Sequence, residues 1–178
     1  MKRMLPLCLA ILATVAVIMV PAGADDDGGS FRIRLSGFQE VPAVSTPATG
    51  TFTAKQGGNN TKVDYTLSYQ GLQADATQAH LHFGQKSVNG GISVWLCSNL
   101  ASPPTPPGVQ ACPLRSGTVS GTITATNVVG PAGQGIAPGE FAELLRALNN
   151  DVVYANVHST MFPGGEIRGQ VESQDDDD

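Results

Sequence analysis

The sequence predicts an all-β protein, an antiparallel Greek-key β-sandwich or flattened barrel of about eight strands with one short helix. Three observations carry this expectation. Short segments alternate apolar and polar residues with a period of two, and turn signals separate them. Glycine and proline are frequent, at 21 and 12 of 178 residues. Aromatic residues make up 6% and charged residues 14%, a turn-rich β composition rather than that of a helical bundle.

The strands can be taken in order. Phe31-Arg-Ile-Arg-Leu35 alternates strictly. Residues 48–55 run to the turn Gly57-Gly-Asn-Asn60, and residues 61–69 follow with Val63, Tyr65, Leu67 and Tyr69 on one face. This pair reads as a hairpin. Residues 78–83, 92–97, 117–126, 152–159 and 166–172 complete the set. One segment departs from the pattern. Between Pro138 and Asn150, the apolar residues Phe141, Leu144, Leu145 and Leu148 follow helical spacing. Pro138 suits the start of this helix, Glu140 its positive end and Asn149-Asn150 its termination. Such a helix serves as a lid over an open end or edge of the sheets.

The first 24 residues read as a secretory signal peptide. Lys2 and Arg3 precede an apolar stretch from Leu5 to Val20, and Ala22-Gly23-Ala24 supplies a small-residue cleavage site, with cleavage after Ala24. The expected localisation is secreted or periplasmic, with no membrane span left after cleavage. An acidic tail at 25–30, a single domain at 31–172 and an acidic tail at 173–178 follow. The 10 basic and 15 acidic residues are unevenly placed. Seven acids lie in the runs Asp25–Asp27 and Asp175–Asp178 and two bases in the signal segment, so the body balances at 8 against 8. No basic patch of the kind phosphate backbones require is present, and nucleic acid is not an expected partner.

Cys97 and Cys112 remain after processing, and an even pair in an exported chain reads as a disulfide. The loop between them holds Pro103, Pro104, Pro106 and Pro107, so it is neither helix nor central strand. With no C-x-x-C, the bond is expected to be structural.

The histidines are the chemically distinctive feature. His80 and His82 sit in Ala79-His-Leu-His-Phe-Gly84 and His158 in Tyr154-Ala-Asn-Val-His158. In a strand, residues i and i+2 share a face. His80 and His82 therefore point together, away from Leu81 and Phe83, and a neighbouring strand can bring His158 beside them. Three imidazoles on a rigid sheet suit Zn²⁺ or Cu²⁺. They suit equally a structural polar network with Glu40, Asn156, Glu166 and Arg168. Trp95 is expected in the core beside Cys97.

Four ordered blocks identify a resemblance. Leu35-Ser-Gly-Phe-Gln-Glu-Val-Pro42 with Thr46 and Ala48-Thr-Gly50 comes first. Ala79-His-Leu-His-Phe-Gly84 with Asn89-Gly-Gly91, then Val153-Tyr-Ala-Asn-Val-His-Ser-Thr160, then Pro163-Gly-Gly-Glu-Ile-Arg-Gly-Gln-Val171 follow. Together they resemble the CHRD domain, the module repeated in chordin and found singly in exported bacterial proteins. The resemblance implies fold and compartment rather than a chemistry. A weaker similarity to Cu,Zn superoxide dismutase lies in the His-x-His before Phe-Gly and in the glycine-rich final strand. Three histidines cannot supply that enzyme's separate copper and zinc ligand sets.

No G-x-S-x-G, H-E-x-x-H or P-loop occurs, and catalysis is not expected. Two roles follow. One is an extracellular binding or structural module, meeting a protein or cell-envelope component through loops and an exposed sheet face. The other is an exported metal-binding protein using His80, His82 and His158 for Cu or Zn.

Overall fold

The computed structural model describes residues 29–57, 59–101 and 104–172. The expected signal segment, nearly all of the N-terminal tail, Gly58, Pro103 and residues 173–178 lie outside the described residues. Eight strands form one antiparallel sheet: β1 (Ser30–Ser36), β2 (Thr49–Gly57), β3 (Lys62–Gln70), β4 (Ala76–Phe83), β5 (Gly91–Ser98), β6 (Gly117–Ile123), β7 (Val153–Ser159) and β8 (Ile167–Val171). The spatial order is β5-β4-β7-β8-β1-β2-β3-β6. The sheet curls into a nearly closed barrel, so of the two expected architectures the barrel is the one found.

The seam between β5 and β6 is sealed without a ladder. Val94 forms an isolated bridge with Val128, and the Val129 amide donates to Ser93 O at 2.9 Å. The Gln110 side chain reaches from Leu96 O on β5 (3.2 Å) to Ser120 O on β6 (3.1 Å). Gln110 belongs to the proline-rich excursion that the Cys97–Cys112 disulfide anchors to β5. The expected disulfide is thus present, and its loop covers two strand edges that would otherwise expose unpaired backbone groups.

Strand ends agree with the sequence reading to within one or two residues, except at β6. There the expected strand to Thr126 stops at Ile123, because Thr124 and Asn127 form a capping box around a short 3-10 turn. The helix α1 spans Phe141–Leu148, with Glu140 and Asn149 as its caps. Pro138 lies in the turn before it rather than in its first turn. Phe141, Leu144, Leu145, Ala147 and Leu148 join the apolar core. Gln56 at the end of β2 donates to Asn149 Oδ1 at 2.9 Å, so α1 closes the barrel end where β1, β3 and β7 begin.

The two halves of the barrel differ in what covers them. Along β1 and β3 buried and exposed residues alternate, as an antiparallel strand with one wet face requires. Along β7 and β8 every residue is buried. Loops cover the outer face of this half, and the side chains beneath them are polar.

Trp95 corrects the expectation of a core position. It is buried, yet it stands outside the core cluster that holds Leu96 and Cys97. A register shift pairs Ala79 with Cys97 but His80 with Trp95. This bulge interrupts the period of two, leaves Leu96 and Cys97 inside and turns Trp95 out against His80.

Opening the disulfide tests the seam. For a 15-residue separation, the Cys97→Ala/Cys112→Ala variant is expected to lose about 3 kcal/mol in urea unfolding. Unchanged stability would contradict an anchoring role.

Candidate functional site: three buried imidazoles on the outer face

The register brings the histidines together. β4 pairs with β7 so that Gln78 faces His158, His80 faces Asn156 and His82 faces Tyr154. β8 continues the rows, setting Arg168 beside Asn156 and Gln170 beside Tyr154. One ring nitrogen of each of His80, His82 and His158 lies within 4.8 Å of the others. The three side chains are 1%, 8% and 7% exposed.

Hydrogen bonds set the tautomers. The His82 Nδ1–H donates to Gly90 O at 3.0 Å, and the His158 Nδ1–H to Pro163 O at 2.8 Å. A carbonyl only accepts, so in both neutral rings the proton is on Nδ1 and the lone pair on Nε2. His158 Nε2 accepts from His80 Nδ1 at 3.3 Å, which leaves the His80 lone pair on Nε2 as well. Nε2 of His80 and Nε2 of His82 are buried without a partner. Two orphaned lone pairs in a dry cluster are costly unless something meets them.

Aromatic neighbours fix the rings. Trp95 stands edge-on to His80, with ring centroids 4.2 Å apart. Tyr154 lies parallel to His82, at 4.7 Å and 1°. The Arg168 guanidinium covers the Tyr154 ring, 3.4 Å from its centroid. Because β7 lies between β4 and β8, His82 and Arg168 press Tyr154 from opposite sides.

Arg168 also holds the cover in place. It donates to Val88 O (2.8 Å), Asn89 Oδ1 (3.2 Å) and Gln85 O (3.4 Å). This ties down the 84–90 loop, whose last residue supplies the carbonyl that orients His82. The Gly90 amide donates to the Tyr154 hydroxyl at 3.2 Å. Only glycine fits there, since a Cβ at residue 90 would lie 1.8 Å from Phe83 O.

The four expected network residues are all buried: Glu40, Asn156, Glu166 and Arg168 are 6%, 3%, 0% and 1% exposed. They do not form one network. Glu40 faces Arg168 and Asn156, and Asn156 also lies near His82, though Asn156 Oδ1 and His82 Nε2 make no hydrogen bond. Glu166 turns elsewhere, its Oε1 accepting from Thr46 Oγ1 at 2.8 Å and from the Gln73 amide at 2.9 Å. Glu40 is not among the groups that converge with the imidazoles. Tyr154 and the 84–90 loop are site elements that sequence reasoning passed over. Tyr154 carried a usable signal, since it shares the i, i+2, i+4 face of Asn156 and His158.

Burial governs the charge states. It pushes His80 down to about 2, with the neighbouring His158 and His82 adding to the effect. It pushes His82 down to about 4 against the help of its bond to Gly90 O, and lowers His158 too. It lifts Glu40 to about 7, although Arg168 opposes this. At neutral pH the imidazoles are uncharged, and Nε2 of His80 and of His82 keep lone pairs without a partner.

The family model for the CHRD domain matches residues 31–171. The chain belongs to the CHRD family. The match spans the barrel from β1 to β8 and includes all three histidines of this CHRD domain. No curated protein and no solved structure matches the chain. Among the described residues no helix is long and apolar enough to cross a membrane.

The pKa directions predict how the stability of the metal-free domain depends on pH. His80 and His82, ordinary near 6.5 when unfolded, take up protons only in the unfolded state as pH falls. Stability therefore falls with pH below 6.5. Glu40 acts the other way: raised from 4.5 to about 7, its contribution is full below 4.5 and is lost as pH rises toward 7. Two imidazoles outweigh one carboxyl. Urea unfolding in chelator from pH 6.5 to 4.5 is expected to show stability falling by about 1.4 kcal/mol per pH unit. A flat or rising profile would count against neutral buried rings.

Proposed function

We propose that this CHRD domain is an exported binding and structural module without catalytic chemistry, and that it holds one transition-metal ion, Zn²⁺ or copper, on His80, His82 and His158. The observation that carries the metal reading is the convergence of three ring nitrogens within 4.8 Å. Backbone carbonyls bind Nδ1 of His82 and of His158, the usual way a ligating imidazole is oriented toward its ion. An ion would also meet the orphaned Nε2 of His82, while at His80 the nitrogen beside His158 is Nδ1, whose proton must leave or move to Nε2 for that ring to ligate. Zn–N bonds of about 2.0–2.1 Å set tetrahedral nitrogen separations of about 3.3 Å, so the rings draw together on binding. Their depressed pKa values remove proton competition at neutral pH.

Burial supports a structural rather than a catalytic ion, because rings at most 8% exposed give a substrate no approach. The export reading rests on the leader-like residues 1–24 and on the Cys97–Cys112 disulfide, a bond that persists in oxidising compartments. There the domain meets an extracellular protein or cell-envelope component.

Protein purified without a histidine tag is expected to carry, or to take up from micromolar solution, one Zn or Cu per chain by plasma mass spectrometry. His80→Ala/His82→Ala should abolish this while the β circular-dichroism spectrum persists. At free metal about 100 times Kd, the wild type should gain about 2.7 kcal/mol in stability. A wild type that stays metal-free after such exposure would refute the metal reading.

A further inference from the structure

The half of the barrel formed by β1, β2, β3 and β6 leaves its outer face open, and its side chains there are arranged in rows. Arg34, Thr51, Ser68 and Thr118 form one cross-strand row, and Arg32, Thr53, Thr66 and Ser120 the next. Each row is one guanidinium followed by three hydroxyls. The rows are two residues apart along the strands, about 6.6–6.8 Å. Ser68 Oγ lies 2.8 Å from Thr118 Oγ1, and Thr66 Oγ1 3.0 Å from Ser120 Oγ, so the hydroxyls are already ordered.

A depression of about 820 Å³ lies over the first row, with Arg32, Arg34, Thr49, Thr51, Ser68 and Thr118 in its lining and no carboxylate. Thr53, Thr66 and Ser120 lie outside it, toward Asp64, which pairs with Lys62. Other arginines are engaged: Arg115 pairs with Asp75, Arg146 with Glu143, and Arg168 is buried on Tyr154. Among the described residues, Arg32 and Arg34 are the arginines without an ion-pair or stacking partner. The one aromatic residue of the lining, Tyr69, is buried and donates its hydroxyl to Pro113 O. It offers no platform on which a sugar ring could stack.

We infer that this face binds an acidic polysaccharide, with the Arg32 and Arg34 guanidiniums taking successive carboxylates and the hydroxyl rows taking sugar hydroxyls. Guanidinium matches carboxylate bidentately, and Ser and Thr hydroxyls both donate and accept. Without a stacking surface, binding depends on charge, which selects an anionic glycan over a neutral one. Two guanidiniums are too few for a nucleic-acid backbone, whose binders neutralise several phosphates. An acidic glycan is then the cell-envelope component that the exported domain meets. This assignment rests on the export reading and not on the metal.

The test is fluorescence anisotropy of labelled polygalacturonate titrated with the protein at low salt. Binding is expected, weakened roughly 10-fold or more on raising salt from about 50 to about 300 mM and by a comparable factor in Arg32→Ala/Arg34→Ala. Arg32→Lys/Arg34→Lys should keep part of the affinity, and neutral dextran should not compete. The double alanine variant should retain wild-type metal content and unfolding midpoint, which separates this result from the fate of the imidazole reading. Absence of binding at low salt overturns the inference, as does a double alanine variant that binds like the wild type. Polyglutamate binding as tightly as polygalacturonate overturns the assignment to a sugar.

Discussion

A row of polar side chains is buried on the outside of this barrel, and each of its hydrogen-bonding atoms must find a partner or impose a cost. Arg168 is the hardest case. The residue is 1% exposed, and the carboxyl that faces it, Glu40, is itself raised toward neutrality by burial. Backbone carbonyls of the 84–90 loop and the face of Tyr154 take the place of an ion pair. A buried charge satisfied this way is costly to disturb, so the loop has little freedom to leave. The loop in turn supplies the Gly90 carbonyl that aims His82. Geometry at the imidazoles is therefore set by a guanidinium two strands away.

The same constraint explains why the halves of the barrel look so different. Where β1 and β3 face water, alternation is clean and the outer residues are charged or polar, Arg32 and Arg34 on β1 and Lys62, Asp64, Thr66, Ser68 and Gln70 on β3, which solvent or a ligand can satisfy. Where loops cover β4, β7 and β8, polar residues are retained under the cover. Some of their atoms, including Nε2 of His80, Nε2 of His82 and Asn156 Oδ1, lack any partner. Groups left unsatisfied in an otherwise well-paired network point to something that the network is arranged to hold.

Much of this was readable from residue order. Period two placed His80 and His82 on one face against Leu81, and the turn at residues 57–60 joined β2 to β3. The strict alternation of Phe31 to Leu35 put Arg32 and Arg34 outside. Pairing of distant segments was not readable. β4 and β7 are separated by the whole of β5, β6 and α1, and no local signal specifies that Gln78, rather than His80, stands opposite His158. The bulge that turns Trp95 outward is likewise invisible, because a single inserted residue reverses a face without altering composition. Glu40 sits after the short 3-10 turn Gly37–Gln39, where no periodicity exists to indicate burial. Glu166 and Arg168, expected in one polar network with Glu40 and Asn156, part because Glu166 precedes β8 and its Oε1 accepts from Thr46 and Gln73 instead.

Convergence of three neutral rings with their lone pairs on Nε2 is the physical claim on which the metal reading stands. Long-range proton–nitrogen correlation NMR of the metal-free domain at neutral pH measures it directly, since imidazole nitrogen shifts distinguish protonated from bare positions. Nδ1–H tautomers are expected at His82 and His158, unchanged as pH is lowered through the ordinary histidine value near 6.5. Adding Zn²⁺ should perturb the Nε2 resonances of His82 and His158 together. Rings protonated at Nε2, or charging near that ordinary value, would contradict it.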